Sequence, residues 1–524
     1  MVNADTLPYE FVTSEKITID YLNHANHLKQ VFPKHFKEPS IRKFRGDRQK
    51  LVDKLLSYNR AINAPKQVIQ NIESLLQPET YAVITGQQPG IFSGPLYTVY
   101  KAISAIVLSE RLSDEKCSFV PIFWNASEDH DISEVNHIAI FKQNEPFEVH
   151  YECESTGVAF SHMRLNKSEL KRILLMIERV SPNSEFKPLL LKEISRIVEK
   201  SSTVGDFFSR FMIYLLGDLG LIMIEPRYLR ELMAPIFERL IRKPTECTKI
   251  LDETGSQLEE LGYSPKIHKK SNICNFFVLG DGGERLRVTH NGDFRVGNET
   301  FSQSELLLLL DDSPSRFSAN AVTRPITQDF LFPTFAYVAG PNEIAYLAQL
   351  NGIYDFFSLE MPVIFPRFGA TIVEKKVTRI LGKYKTEIHE LSNPEKLLKK
   401  LAKARIDDVF DSFKNDVSKG IAEVTRHAES IDKTLVGSCS LARGKILKTI
   451  EVLEGKIASR LKEHDQVTKQ QVIKAYSNLF PHGAPQERHI NVLEYLIKFG
   501  EDFLRIVYED FLKADYGEHR VIKC

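Results

Sequence analysis

No stretch of this 524-residue chain is apolar for the roughly 20 residues that a membrane-crossing helix needs, so no membrane partner is expected. Nor does one sign of charge dominate. The 69 Lys and Arg are matched by 69 Asp and Glu, which argues against a generally basic nucleic-acid binder. Cys117, Cys153, Cys247, Cys274, Cys439 and Cys524 are scattered, with no C-x-x-C pair. That spacing points to reduced thiols in a cytoplasmic protein rather than to a disulfide framework. The opening Met1-Val-Asn-Ala-Asp-Thr-Leu-Pro-Tyr9 lacks the basic-then-apolar pattern of a secretory leader. Low-complexity tracts and solenoid repeats are missing too. So are the H-x-G-H and K-M-S-K-S signatures of adenylating synthetases and the Gly-Lys-Ser/Thr of a P-loop.

What is present is a folded composition, 43% hydrophobic and 26% charged, in a chain long enough for two to four domains. The chain is organised around residues 81–137. Tyr81-Ala-Val-Ile-Thr85 is an apolar, β-branched run that predicts a buried parallel strand. Gly86, Pro89, Gly90, Gly94 and Pro95 then predict a loop. Val99, Ile103, Ile106 and Val107 recur at helical spacing across residues 96–112. A second strand, over 118–124, leads into Glu128-Asp129-His130-Asp131. Ligands of open α/β sheets bind beyond the carboxyl ends of the strands. Both polar segments are therefore expected to face one crevice.

Residues 1–80 read as a peripheral helical segment, with helices over 21–32 and 48–61 broken at Pro33 and Pro65. Residues 81–226 form the first part of the sheet core and close with a strand candidate at 221–226. Residues 227–320 read as an insertion of helices and β-hairpins. Its short runs are separated by Gly280-Asp-Gly-Gly283 and by Asn291-Gly292, a tight-hairpin signal. Gly280-x-Gly282 lacks the strand–helix context of a dinucleotide loop and reads as a turn. Residues 321–372 resume the core, with strands at 334–338 and 363–365 around one helix over 340–357 that opens on Gly340-Pro341. Residues 373–480 are helical and charge-rich. Phe413, Val417, Ile421, Val424, Ala428, Ile431 and Leu435 recur at spacings of four and three, as do Ile446, Ile450, Leu453, Ile457 and Leu461. This predicts coiled-coil arms that reverse between Asp432 and Ser440, with an ordinary helical bundle as the alternative. Residues 481–524 read as a helical segment returning to the core. The expected class is α/β: a parallel sheet assembled from two distant segments, a small antiparallel insertion and a long helical coiled-coil arm.

Several motifs carry a resemblance. Thr85-Gly-Gln-Gln-Pro-Gly90, Gly94-Pro-Leu-Tyr-Thr98 with Lys101, Phe123-Trp124 with Glu128-Asp-His-Asp131, and Asn136-His137 resemble the bacillithiol biosynthesis cysteine-adding enzymes, the cysteine ligases of that pathway. Residues 328–346, 361–367 and Pro485-Gln-Glu-Arg488 are similar to the same family, in order and over essentially the whole chain. The resemblance implies a Rossmann-like core, a coiled-coil arm and a homodimer through that arm. It also implies two small-molecule substrates, cysteine and glucosaminyl malate, joined through an amide in the last step of the pathway.

The residues can be read against that chemistry. Backbone amides of a glycine-rich turn before a helix bind anions. Thr85, Gly86, Gln87, Gln88, Gly90 and Gly94 are thus candidate ligands of a carboxylate or phosphate, with Tyr97, Lys101 and Trp124 carried over from the motif. A plain turn and a solvent-facing lysine are the alternatives. The carboxylates of Glu128, Asp129 and Asp131 repel one another and call for a substrate ammonium, Mg²⁺ or a protonated His130. The glucosaminyl amine must lose a proton before it attacks. Asp129 or His130 is the expected base, with Glu128, Asp131 and Asn136 positioning the amine. Tyr337, Gly340, Asn342 and Glu343 are candidate sugar contacts, and Arg367 is a candidate bidentate clamp for malate. No metal ligand set is expected, because His130 and His137 are seven apart with no third ligand in view. Amide formation in water is uphill, so an adenine nucleotide, ATP, is expected as activator, through an adenylate or an acyl phosphate alike. Two other readings stay open at this level: a metal-dependent hydrolase using Glu128 to Asp131, and a coiled-coil interaction protein with an inactive core.

Overall fold

The computed structural model of the chain describes residues 6–153, 157–268 and 270–524. It divides into two compact units, one of residues 1–142, 147–371 and 487–522, the other of 143–146, 372–486 and 523–524.

The first unit is built on a five-stranded parallel sheet. Its strands are Thr80–Gln87 (β1), Ser118–Asn125 (β2), Ile222–Ile224 (β3), Thr334–Ala339 (β4) and Val363–Pro366 (β5). Their spatial order is β3-β2-β1-β4-β5, and every neighbouring pair is parallel. The order reverses between β1 and β4, which makes the carboxyl ends of those two strands the switch point of the sheet. Strands covered on both faces must be apolar throughout. Ile84, Ile122 and Ile222 are accordingly buried without remainder. The helix Leu96–Leu112 packs on β1, β2 and β4 and is covered on its other side by Asp502–Phe511. It buries nearly its whole circumference, as a helix apolar all round must.

β1 runs two residues beyond the apolar pattern. Gly86 and Gln87 still pair with Trp124 and Asn125. A β-carbon at Gly86 would stand 2.6 Å from the Trp124 carbonyl oxygen, so close strand packing requires glycine there.

The insertion holds a five-stranded antiparallel sheet in the order Glu299–Phe301, Asp293–Val296, Arg285–Asn291, Ile273–Leu279, Phe317–Ala319. Gly292, at φ +94°, makes the tight hairpin that Asn-Gly signals. The Gly280 to Gly283 run is a turn closed by the Gly280 amide on the Glu284 carbonyl, 2.9 Å.

Several helices differ from the periodic reading. The one expected over 340–357 is two, Pro341–Leu347 and Asn351–Phe356. The C-terminal one is also two, Leu493–Phe499 and Asp502–Phe511, parted by Gly500 at φ +68°. The segment 21–32 holds the end of Lys16–Leu22 and a short 3-10 turn, and Lys66–Ser74 is a further helix after Pro65. Thr6–Pro8 pairs antiparallel with residues 518–520.

The second unit is helical. Asp407–Ile431 and Leu435–His464 are its two long helices. Asp432 reverses the chain between them by accepting from the amide and hydroxyl of Thr434, at 2.8 and 2.9 Å. The turn is tighter than the glycine and serines suggest, and Gly437, Ser438 and Ser440 lie inside the second helix. The apolar stripes are covered only in part. Ile450 is buried, but Phe413, Val424, Ile431 and Leu453 remain 49 to 70% exposed. No helix among the described residues is long and apolar enough to cross a membrane.

Candidate active site

Two cavities open at the switch point. The larger, about 340 Å³, is lined by Gln88, Trp124, Asp129, Arg285, Arg324 and Tyr337 among others. The smaller, about 180 Å³, is lined by Tyr97, Lys101, Gly340, Asn342, Arg367 and Arg488 among others. Gln87 and Glu343 line both.

Lys101 and Glu343 form the divide. Lys101 lies in the helix after β1 and is 1% exposed, so it does not face solvent. Its Nζ donates to Glu343 Oε2 at 2.6 Å, to Gln87 Oε1 at 3.2 Å and to the Gly86 carbonyl. Glu343 also accepts from the Tyr337 hydroxyl and the Gly340 amide, each at 2.8 Å. Burial works to raise the Glu343 carboxyl, and Lys101 with these donors outweighs it and holds the group below its ordinary range. Burial likewise pulls the Lys101 ammonium below its ordinary range, and Glu343 opposes that, so each partner favours the charged form of the other.

Arg324 is the contrasting cation. Its guanidinium donates to the Tyr346 hydroxyl at 2.9 Å, the Tyr337 hydroxyl at 3.4 Å and Gln328 Oε1 at 3.1 Å. All three partners are neutral. Nearby, Arg285 donates to the Ala319 carbonyl at 2.7 Å and stacks over Phe277, while its Nε and the Trp124 Nε1 are buried with no partner among the described residues. Buried donors and cations left this way favour an anion in the cavity.

The acidic cluster splays instead of converging. Glu128 accepts from Arg230 Nε at 2.6 Å and from the Ser318 hydroxyl at 2.9 Å. Asp129 lines the larger cavity and accepts from Gln88 Nε2 at 2.7 Å and the His130 amide at 2.7 Å. The His130 side chain lies outside the cavity lining and is 42% exposed. Asp131 turns back to cap Ser133. Asn136 is outside both linings, and its carbonyl accepts the Tyr151 amide. The expectation of three repelling carboxylates around one cation is thereby corrected. Glu128 and Asp129 both line the cavity, but Glu128 is neutralised by Arg230, which leaves Asp129 as the carboxylate there without a guanidinium partner. The hydrolase reading loses its ligand set for the same reason.

The backbone-cradle expectation is also corrected. The amides of Gly90, Ile91, Gly94 and Leu96 donate to the carbonyls of Gln88, Val135, Ile91 and Ile490 at 2.9 to 3.1 Å. The glycines serve the turn itself: a β-carbon at Gly90 would stand 2.8 Å from Gly94 Cα, and Gly94 sits at φ +68°. Thr85 is buried and ties β1 to β4 through the Val338 carbonyl at 2.9 Å. From this motif it is the Gly86 backbone and the Gln87 and Gln88 side chains that reach the larger cavity. Arg367 does make a bidentate clamp, but on Glu487, at 2.5 and 3.0 Å. The residues that periodicity and motif left out are Arg230, Arg285 and Arg324, while Arg488 stood in a motif without a role. Arg285 hides in a hairpin that reads as plain insertion. Arg324 sits four residues before the segment that carries the resemblance.

A parallel sheet of this order, with a cation-rich cleft at its switch point, is a Rossmann-like ligand-binding unit. The comparisons with known proteins narrow this. Residues 3–368 match the family model described as the N-terminal Rossmann-like domain of bacillithiol biosynthesis BshC, and residues 370–524 match its C-terminal coiled-coil domain. A protein from Salinibacter ruber named "Putative cysteine ligase BshC" is 33% identical over 91% of this chain and 89% of its own. Proteins of the same name from Bacillus cereus and Bacillus cytotoxicus are 31% identical over 98% of both chains and 32% identical over 96% and 97%, respectively. The chain belongs to the bacillithiol biosynthesis BshC family.

Proposed function

We propose that the chain is the ligase that joins the carboxyl of cysteine to the amine of glucosaminyl malate. The family supports this, and the observation that carries it at the site is Arg324 bonded only to neutral oxygens in a cavity that Asp129 also lines. Arg324, Arg285 and the Trp124 N–H hold the oxygens of the acyl donor. The amine nitrogen attacks the activated carbonyl carbon, the carbon–nitrogen bond forms and the activating group leaves. Asp129 takes the amine proton and is preferred over His130 because it is the one that faces the cavity. ATP supplies the driving force by activating the cysteine carboxyl. The amides of Gly90, Ile91, Gly94 and Leu96 are already bonded within the chain and so are not free to cradle its phosphates.

The same reading places the protein in the cytoplasm, where cysteine and ATP are available, and joins two copies through the exposed stripes of the long helices. The test is a strain lacking this step, supplied with the gene for this chain and profiled for low-molecular-weight thiols. Bacillithiol should return and glucosaminyl malate should fall. A folded, expressed protein that restores no bacillithiol would overturn the assignment.

A further inference from the structure

We propose that the smaller cavity is a second substrate compartment, which takes the dicarboxylate end of the acceptor with Arg488 as its anchor; this rests on the ligase reading above. Three cations face this cavity, Lys101, Arg367 and Arg488, against the single carboxylate of Glu343. Two of them are already paired. Lys101 is on Glu343 at 2.6 Å, and both terminal nitrogens of Arg367 are on Glu487. Arg488 is half-buried and makes no hydrogen bond or ion pair among the described residues. A half-buried guanidinium with no hydrogen-bonded carboxylate is stabilised by any anion that reaches it, most strongly by a planar carboxylate.

A second carboxylate has donors in the same space. The Nε of Arg367 is the nitrogen that Glu487 leaves open. It lies 3.7 Å from where a β-carbon at Gly340 would stand, so the missing side chain keeps that approach clear. The Tyr97 hydroxyl and the Asn342 amide face the cavity as well.

Cysteine fits this place poorly. Its carboxyl is the reacting group and must stay clear of an anchoring guanidinium. The acceptor is long and carries its anionic end away from its amine. With the dicarboxylate on Arg488, the sugar crosses Gln87 and Glu343, which line both cavities. The amine then enters the larger cavity, where Asp129 stands.

Calorimetric titration of the full chain with L-malate, glucosaminyl malate, cysteine and inorganic phosphate separates the sources. Malate and glucosaminyl malate should bind the unaltered protein. In Arg488→Ala their affinity should fall about 10- to 100-fold, the usual loss of a charge-assisted contact, with partial recovery in Arg488→Lys and no change for cysteine. In turnover, KM for glucosaminyl malate should rise while kcat holds. Unchanged acceptor affinity in a folded Arg488→Ala or Arg488→Gln protein would overturn the proposal. So would a loss confined to cysteine or phosphate. If malate binds through Arg488 and no amide is ever formed, the ligase reading fails while the compartment stands.

Discussion

The sheet unit and the helical unit treat their side chains in opposite ways. In the sheet unit, large apolar groups such as Trp124, Tyr100 and Phe207 are hidden, and interior charges are paired, as in Glu128 with Arg230 and Arg367 with Glu487. Arg324 and Arg488, which make no ion pair among the described residues, both face cavities. In the helical unit it is apolar surface that is left uncovered, along helices whose charges face water apart from Glu454, which is buried and paired with Lys403 and Lys414. An unsatisfied cation asks for a small anion, and an unsatisfied apolar stripe asks for another chain. The proposed function accordingly gives chemistry to the sheet unit and assembly to the helical one.

That division can be broken by experiment. The largest effect is expected at Asp129. Asp129→Asn should lower turnover about 100- to 10,000-fold, the usual loss for a general base, with His130→Ala within about threefold of the unaltered enzyme. Equal losses in both would move the base to His130. At Arg324, replacement by Ala should raise an apparent KM about 10- to 100-fold, and Lys should restore only part, since a point charge does not reproduce the guanidinium fork. Steady-state kinetics with each substrate varied in turn measures this, and an unchanged profile would remove Arg324 from the site.

A third test sharpens the contrast in buried charge. His519 is held neutral in the sheet unit, pushed down to about 4 by burial, with Glu487 opposing and Arg367 reinforcing. Above the ordinary value of about 6.5, neither the folded nor the unfolded chain binds this proton, and stability is unaffected. As pH falls from there toward 4, the unfolded chain takes up a proton that the folded one refuses, and stability drops by roughly 1.4 kcal/mol per pH unit. His519→Gln should flatten that slope in urea melts at pH 7, 6 and 5; parallel slopes would show that the ring is protonated in the folded state. The smallest change in chemistry is expected from the helical unit. Ile421→Lys with Val424→Lys should halve the mass seen by light scattering and leave the melting of the sheet unit intact. A folded double variant of unchanged mass would exclude this stripe as the dimer contact.

Much of the fold was legible because its signals are local. The β-branched run at 81–85 and the Asn291-Gly292 turn are each set by neighbours in sequence, and each stands where the pattern puts it. Helix breaks were less so. Nothing in the apolar spacing of residues 340–357 announces the interruption between Leu347 and Asn351, although the first half packs on β4, β5 and Lys16–Leu22 and the second on Glu246–Glu260. The site was legible as a place and less so as a set of partners. Motifs made Asp129, Glu343 and Arg367 candidates at strand ends. They did not show that Arg367 is spent on a glutamate 120 positions away, or that an arginine from a hairpin insertion reaches the larger cavity beside Asp129. Pairings of that kind depend on tertiary contacts that no spacing rule encodes.

The hydroxyl of Thr85 and the carbonyl it binds on Val338 are 253 positions apart. At ribosomal rates of about 5–20 residues per second, β1 leaves the exit tunnel on the order of 10 to 50 seconds before the strand that will lie beside it exists. Throughout that interval an apolar strand edge stands open, the kind of edge that recruits other chains. The feature that creates the binding cleft is therefore also the point at which the nascent protein is most exposed to misassembly, and the edge that a holding chaperone would need to cover.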